Sequence, residues 1–174
     1  MKNLGHYGRI KIVDDMFYDA HVHVGFYSRY RYRRPFYYSP RKIAGVLNRC
    51  GVDECIVSST CAQVRCIRLD QILAEAAEIK RLFGKRAHLF FWLSGHLYDE
   101  DTSLSWMQTG LYEGVKFHEC ETPWFTKRRT LLWRILEKIE AAGLRVKFHS
   151  GTCDGCRPRQ LQKVVADFPS VKFN

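Results

Sequence analysis

The sequence predicts an α/β protein on a parallel sheet, of the (β/α) TIM-barrel type and incomplete, with about six of the eight strands such a barrel needs. Three observations lead there. Strand-like and helix-like patterns alternate at a repeat of about thirty residues, the mark of successive right-handed βαβ units. The run 87–93 is almost wholly apolar, as a strand covered by helices on both faces should be. Polar residues recur at the carboxyl ends of several strands at once, which is where a barrel gathers its site. An open doubly wound nucleotide-binding sheet is the poorer match, because no Gly-rich fingerprint follows a strand and no G-x-x-x-x-G-K-[ST] occurs.

Taken in order, residues 1–15 form a polar lead-in with a short β-like run at 9–13, and 16–24 is the first strand. Residues 25–38 follow as a long loop that interleaves arginines with aromatic rings. Ser39 and Pro40 supply an N-cap and a first-turn proline, Ile43, Val46, Leu47 and Cys50 recur at helical spacing, and Gly51 closes that helix. A strand at 52–58 leads to a helix at 69–83, whose stripe of Ile72, Leu73, Ala76, Ile79, Leu82 and Phe83 ends at Gly84. After the strand 87–93 comes a short helix around 104–107 and a fourth strand at 114–118. A helix at 130–142, a fifth strand at 144–150, a helix at 158–168 stopped by Pro169, and the start of a sixth strand at 171–174 complete the chain as one domain, 1–174.

The chain has 174 residues, 46% apolar and 26% charged, which bounds it to a globular protein with a real core. No apolar stretch approaches a membrane span and no basic-then-apolar leader opens it, so a cytoplasmic protein without membrane partners is expected. Seven cysteines, an odd number without a framework spacing, read as reduced thiols. Cys153 and Cys156 form a lone C-x-x-C, which suits a turn better than a redox pair or half a zinc site. The net charge of +10 raises the question of a polyanionic partner. Arg128, Arg129, Arg134, Lys138, Arg157, Arg159 and Lys163 read most simply as solvated helix faces, leaving nucleic acid the lesser reading.

The candidate site starts at Asp19-Ala20-His21-Val22-His23. Strand side chains alternate between faces, so His21 and His23 point the same way at the mouth of the first strand. Two imidazoles so placed can grip one transition-metal ion, or be two ordinary strand histidines. Lys116 and His118 share a face of the fourth strand, and Lys147 and His149 of the fifth. Lys116 and His118 suit a substrate carboxylate, although Lys116 equally suits a buried acid such as Asp19. In the loop, Arg29, Arg31, Arg33 and Arg34 with their neighbouring rings suit steering of anions, base stacking, or a lid over the core; Arg31 and Arg33 are candidate substrate contacts. His88 and His96 read as structural.

Asp-Ala-His-Val-His, Gly-Val-Lys-Phe-His, Val-Lys-Phe-His-Ser-Gly and Phe-Pro-Ser-Val-Lys-Phe-Asn, in that order on those elements, resemble the amidohydrolase superfamily, in its amidohydrolase-related branch of TIM-barrel metal-dependent hydrolases and decarboxylases. The resemblance runs from about Phe17 onward. It implies that His21, His23 and His149 bind a divalent metal, commonly zinc. It further implies that metal-bound water attacks an amide, ester or lactone of a small anionic substrate, or that the site decarboxylates one. The family's further histidine after strand six and the aspartate after strand eight, its usual general base, have no counterpart up to Asn174, so the catalytic base is unknown and the chain reads as C-terminally truncated. An open partial barrel of this kind is expected to self-associate through its sheet edges and to show little activity alone.

Overall fold

Two patterns build the scaffold, central strands buried on both faces and helices between them that bury one stripe. The computed structural model describes residues 16–27, 36–63, 67–94, 102–120, 122–151 and 157–174. Strand β1 (Tyr18–Tyr27) pairs antiparallel with a short β2 (Phe36–Tyr38), Gly25 lying opposite Tyr38 and Tyr27 opposite Phe36. Helix α1 (Pro40–Arg49) starts as expected, with the Ser39 hydroxyl accepting from the Lys42 amide at 3.3 Å. Strand β3 (Glu54–Ser59), helix α2 (Leu69–Phe83) and strand β4 (Ala87–Trp92) follow, then β5 (Gly114–Phe117), α3 (Trp124–Lys127), α4 (Arg129–Ala141), β6 (Arg145–Phe148) and α5 (Pro158–Asp167).

The sheet order is β2-β1-β3-β4-β5-β6, and every neighbouring pair except β1 with β2 is parallel. The parallel strands therefore run in sequence order without reversal. A doubly wound sheet would reverse at a switch point, whereas a barrel keeps winding one way. The chain is an incomplete (β/α) barrel with its core split between two clusters. One packs Val24, Leu47, Val57, Ile79 and Leu89 between β1, β3, β4 and the first two helices. The other packs Phe91, Trp106, Val115, Leu132, Leu136 and Val146 beneath α4. Among the described residues no helix is long and apolar enough to cross a membrane.

The structure departs from the sequence reading in four places. The loop 25–38 holds β2, three residues too short to show a period of two. Residues 171–174 make a single parallel bridge, Val146 opposite Phe173, and no ladder. The segment around 104–107 is a 3₁₀ turn, Thr102–Thr109, and the short α3 was not foreseen. Cys120 is disulfide-bonded, against the expectation of reduced thiols, while Cys50, Cys55 and Cys61 are free. A disulfide depends on two thiols meeting in space, which sequence spacing does not reveal. Residues 9–13, His96, Cys153 and Cys156 lie outside the described residues.

The buried Glu75 carboxylate on α2 anchors β2: it accepts from the Tyr37 hydroxyl at 2.9 Å, from the Ser59 hydroxyl, and from the Cys61 thiol at 3.6 Å. That ties the base of the arginine-aromatic loop to α2 and to the end of β3.

At the amino ends of the strands His88 is structural, as read. Its Nδ1 meets Glu113 Oε2 at 2.6 Å and its Nε2 meets Glu54 Oε2 at 3.1 Å. The Glu113 bond, against the opposing effect of burial, holds His88 above its ordinary 6.5. Burial pushes Glu113 up, yet bonds from His88 and Lys80 outweigh it and leave that carboxyl below 4.5. A group raised by folding adds stability that is complete below its unfolded value and fades as pH climbs through the folded one; a depressed carboxyl adds stability that fades as pH falls. The cluster therefore contributes most between about pH 4.5 and 6.5. Replacing His88 by Gln should lower the urea-unfolding stability by about 1 kcal/mol near pH 5.5 and by less near pH 8.5. Equal losses at both would contradict this account.

Candidate active site

Strand register assembles the site. Trp92 on β4 lies opposite Lys116 on β5, and Lys116 lies opposite Lys147 on β6. Residues in register on parallel strands share a face, so these three side chains form one rung. His118 and His149, two positions further along, keep that face just past the strand ends. On β1, His21 and His23 occupy alternate positions, with His23 opposite Ser58 on β3. Gly25, two residues beyond, has φ of 101°, and a Cβ there would sit 2.8 Å from Cys61 Sγ and 2.9 Å from Thr60 Oγ1. Only glycine lets β1 run this close to the turn after β3.

The two β1 imidazoles meet through their Nε2 atoms at 2.8 Å. Lys116 Nζ lies 3.1 Å from His23 Nε2 and 3.5 Å from His21 Nε2, and 3.9 Å from the centre of the Trp92 ring. His23 Nδ1 faces the Ser58 carbonyl oxygen at 3.3 Å, which fixes the ring, and Lys147 Nζ donates to the Ala20 carbonyl oxygen. His118 stacks on His149 at 3.9 Å between ring centres and on Trp92 at 5.3 Å. The His118 Nδ1 is buried without a hydrogen-bond partner.

Burial dominates the protonation of the whole group. It lowers His21 to about 4, with help from the Lys116 and Lys147 charges, and His23 to about 3, again with Lys116 next in weight. His118 falls to about 4 through burial and His149, and His149 falls through burial and Lys116. Lys116, 1% exposed, falls to about 7 by burial with Lys147 adding repulsion. Burial also lowers Lys147. At neutral pH the four imidazoles are thus neutral and carry lone pairs, the form that ligates metals.

His21, His23, Lys116 and His118 lie at one end of the sheet, and His149 comes within electrostatic reach of His21. The expected three-histidine set is not closed, however. Among the described residues no three or more His, Cys, Asp or Glu side chains are gathered to hold an ion. The physical reason is visible: the Lys116 ammonium stands against both β1 imidazoles, and His149 lies flat on His118. Asp19 caps the His21 amide at 3.0 Å and is not seen pairing with Lys116. Arg31 and Arg33, with Arg29 and Arg34, lie outside the described residues. Sequence reasoning missed Trp92, the platform under Lys116. The signal available was its place as the last aromatic of an apolar strand, one rung from a lysine.

A lysine whose pKa falls on folding costs stability while the folded state must carry or shed its proton, and the cost shrinks as pH rises toward 10.5. In chelator-treated protein, stability should climb from about pH 7 to 9 with a slope of order 1 kcal/mol per pH unit, and Lys116→Met should flatten that slope. An unchanged slope in the variant, followed by urea unfolding, would show that Lys116 is not the group responsible.

No family model matches the chain, and no curated protein matches it. Solved structures do. The chain is similar to dihydroorotase from Saccharomyces cerevisiae, in complex with 5-fluoroorotic acid, at 17% identity and a TM-score of 0.61, over 91% of this chain and 46% of that one. It is similar to dihydroorotase from Campylobacter jejuni at 16% identity and a TM-score of 0.56, with the same two coverages of 91% and 46%. A probable 2-pyrone-4,6-dicarboxylic acid hydrolase from Acinetobacter baumannii, with citric acid bound, aligns at 12% identity and a TM-score of 0.57, over 92% of this chain and 57% of that one. The chain spans about half the length of these structures. At such identities the likeness is one of fold: the chain carries the barrel architecture of these hydrolases.

Proposed function

We propose that this chain contributes the first part of the active site of a metal-dependent hydrolase, acting on a cyclic amide, ester or lactone that bears a carboxylate. The observation that carries the reading is the paired Nε2 atoms of His21 and His23, neutral at pH 7 and 2.8 Å apart at the barrel mouth. The donor chemistry fits a divalent ion, zinc foremost, at those two nitrogens, with His149 as third donor once it leaves the face of His118. What such an ion supplies when bound is Lewis acidity, which makes water a nucleophile near neutral pH and polarises the carbonyl under attack.

The chain's own residues do the rest. Ser58 orients His23 through its carbonyl. Lys116, displaced from the histidines, and His118 receive the substrate carboxylate, and Trp92 offers a ring face beside them. Arg31 and Arg33 are proposed to steer the anion inward. The names of the similar structures support this substrate class, since one is a dihydroorotase in complex with 5-fluoroorotic acid and another a probable 2-pyrone-4,6-dicarboxylic acid hydrolase.

Titrating chelator-stripped protein with Co²⁺ and following visible absorption tests the reading. One ion per chain should bind; His21→Ala or His23→Ala should abolish the signal, and His149→Ala should weaken binding by about tenfold or more. Protein that takes up neither Co²⁺ nor Zn²⁺ near pH 7.5 would overturn it. Dihydroorotate and 2-pyrone-4,6-dicarboxylate are the substrates to assay first in the loaded protein.

A further inference from the structure

Away from the barrel mouth, Phe125, Arg129, Trp133, Arg159, Gln160 and Lys163 line a cavity of about 330 Å³ between α4 and α5. We propose that this groove binds an anionic heteroaromatic small molecule of the nucleoside monophosphate class. Its volume suits a ligand of that size. No carboxylate lines it. Asp167, beyond the groove, accepts from the Trp133 indole N–H at 3.1 Å and lies 3.6 Å from Lys163 Nζ. That holds the indole in place and leaves Arg129 and Arg159 without a carboxylate partner among the described residues.

The helix ends sharpen the demand for an anion. Helices α4 and α5, of 13 and 10 residues, both open toward this region with no acidic residue in the first turn and no side-chain cap. Arginines stand there instead, Arg129 at the start of α4 and Arg159 in the first turn of α5. Cations at the positive end of a helix dipole are unfavourable, and a phosphate placed among them reverses the sign of that interaction.

The remaining lining selects the rest of the ligand. The Arg129 guanidinium lies over the Trp133 ring, 4.8 Å from its centre, which makes a planar cationic platform of the kind bases stack on. Phe125 adds a second aromatic wall. Gln160 adds a polar side chain to the lining. One platform in one short, partly open groove suits a single base, whereas a nucleic-acid strand needs a row of them.

The site is independent of the proposed hydrolase, so the test is too. Isothermal titration of the full 174-residue chain with adenosine 5′-monophosphate should give saturable 1:1 binding, at least about tenfold tighter than adenosine or inorganic phosphate alone. Arg129→Ala and Arg159→Glu, both exposed positions whose change leaves the far-ultraviolet circular dichroism intact, should each weaken binding about tenfold, and Trp133→Leu should weaken it likewise. His21→Ala should leave it unchanged. Three results would each overturn the proposal: no saturable binding at millimolar nucleotide, phosphate binding as tightly as the nucleotide, or an oligonucleotide of about ten residues binding far more tightly with a steep salt slope.

Discussion

In a parallel sheet, residues in register keep a common face, and here that rule sets Trp92, Lys116 and Lys147 side by side across three strands. Everything at the mouth follows from this rung. Because Lys147 is its neighbour, Lys116 is held in that ammonium's field as well as away from water. Because Trp92 is the third member, Lys116 has a π face to lie on where an acid would otherwise be required. Shifting β5 by one residue would bring Val115 to the mouth and send Lys116 into the packing beneath α4.

Burying a lysine without a carboxylate is costly, and folds keep such groups where chemistry uses them. The histidines share in that cost. Each sits low in proton affinity through burial first, with the Lys116 charge next for His21 and His23 and His149 next for His118, so the mouth is a group of bases held empty-handed at neutral pH. The opposite end of the sheet shows the contrast: His88, with Glu54 and Glu113 on either side, is pushed the other way and serves as a staple. The same residue type takes two roles because acids were placed at one end and cations at the other.

The alternation of elements was legible because helices such as α2 carry a full stripe and end at glycine, and strands such as β4 are continuous apolar runs. The β1 histidine pair was legible for the same reason, since alternation alone puts both on one face. Other features required three dimensions. β2 is held by Tyr37 reaching Glu75 on α2, a contact across 38 residues that no local pattern contains. Residues 171–174 have strand chemistry but make one bridge, since strand propensity cannot form a ladder by itself. His149 stacks on His118 in place of joining the β1 pair because ring packing and the Lys116 charge act there, neither of which spacing encodes. The arginines of α4 and α5, read as solvated faces, acquire meaning only when the two helices are seen to enclose a groove between them.

The short antiparallel β2 also governs how anything can approach the mouth. It occupies β1 from Gly25 to Tyr27, on the side away from β3, immediately beyond the histidine pair. A strand that pairs with β1 from that side therefore has only the stretch 18–24 to join and must stop by Val24. The hairpin thus acts as a doorstop that limits how far along β1 a neighbouring strand can pair.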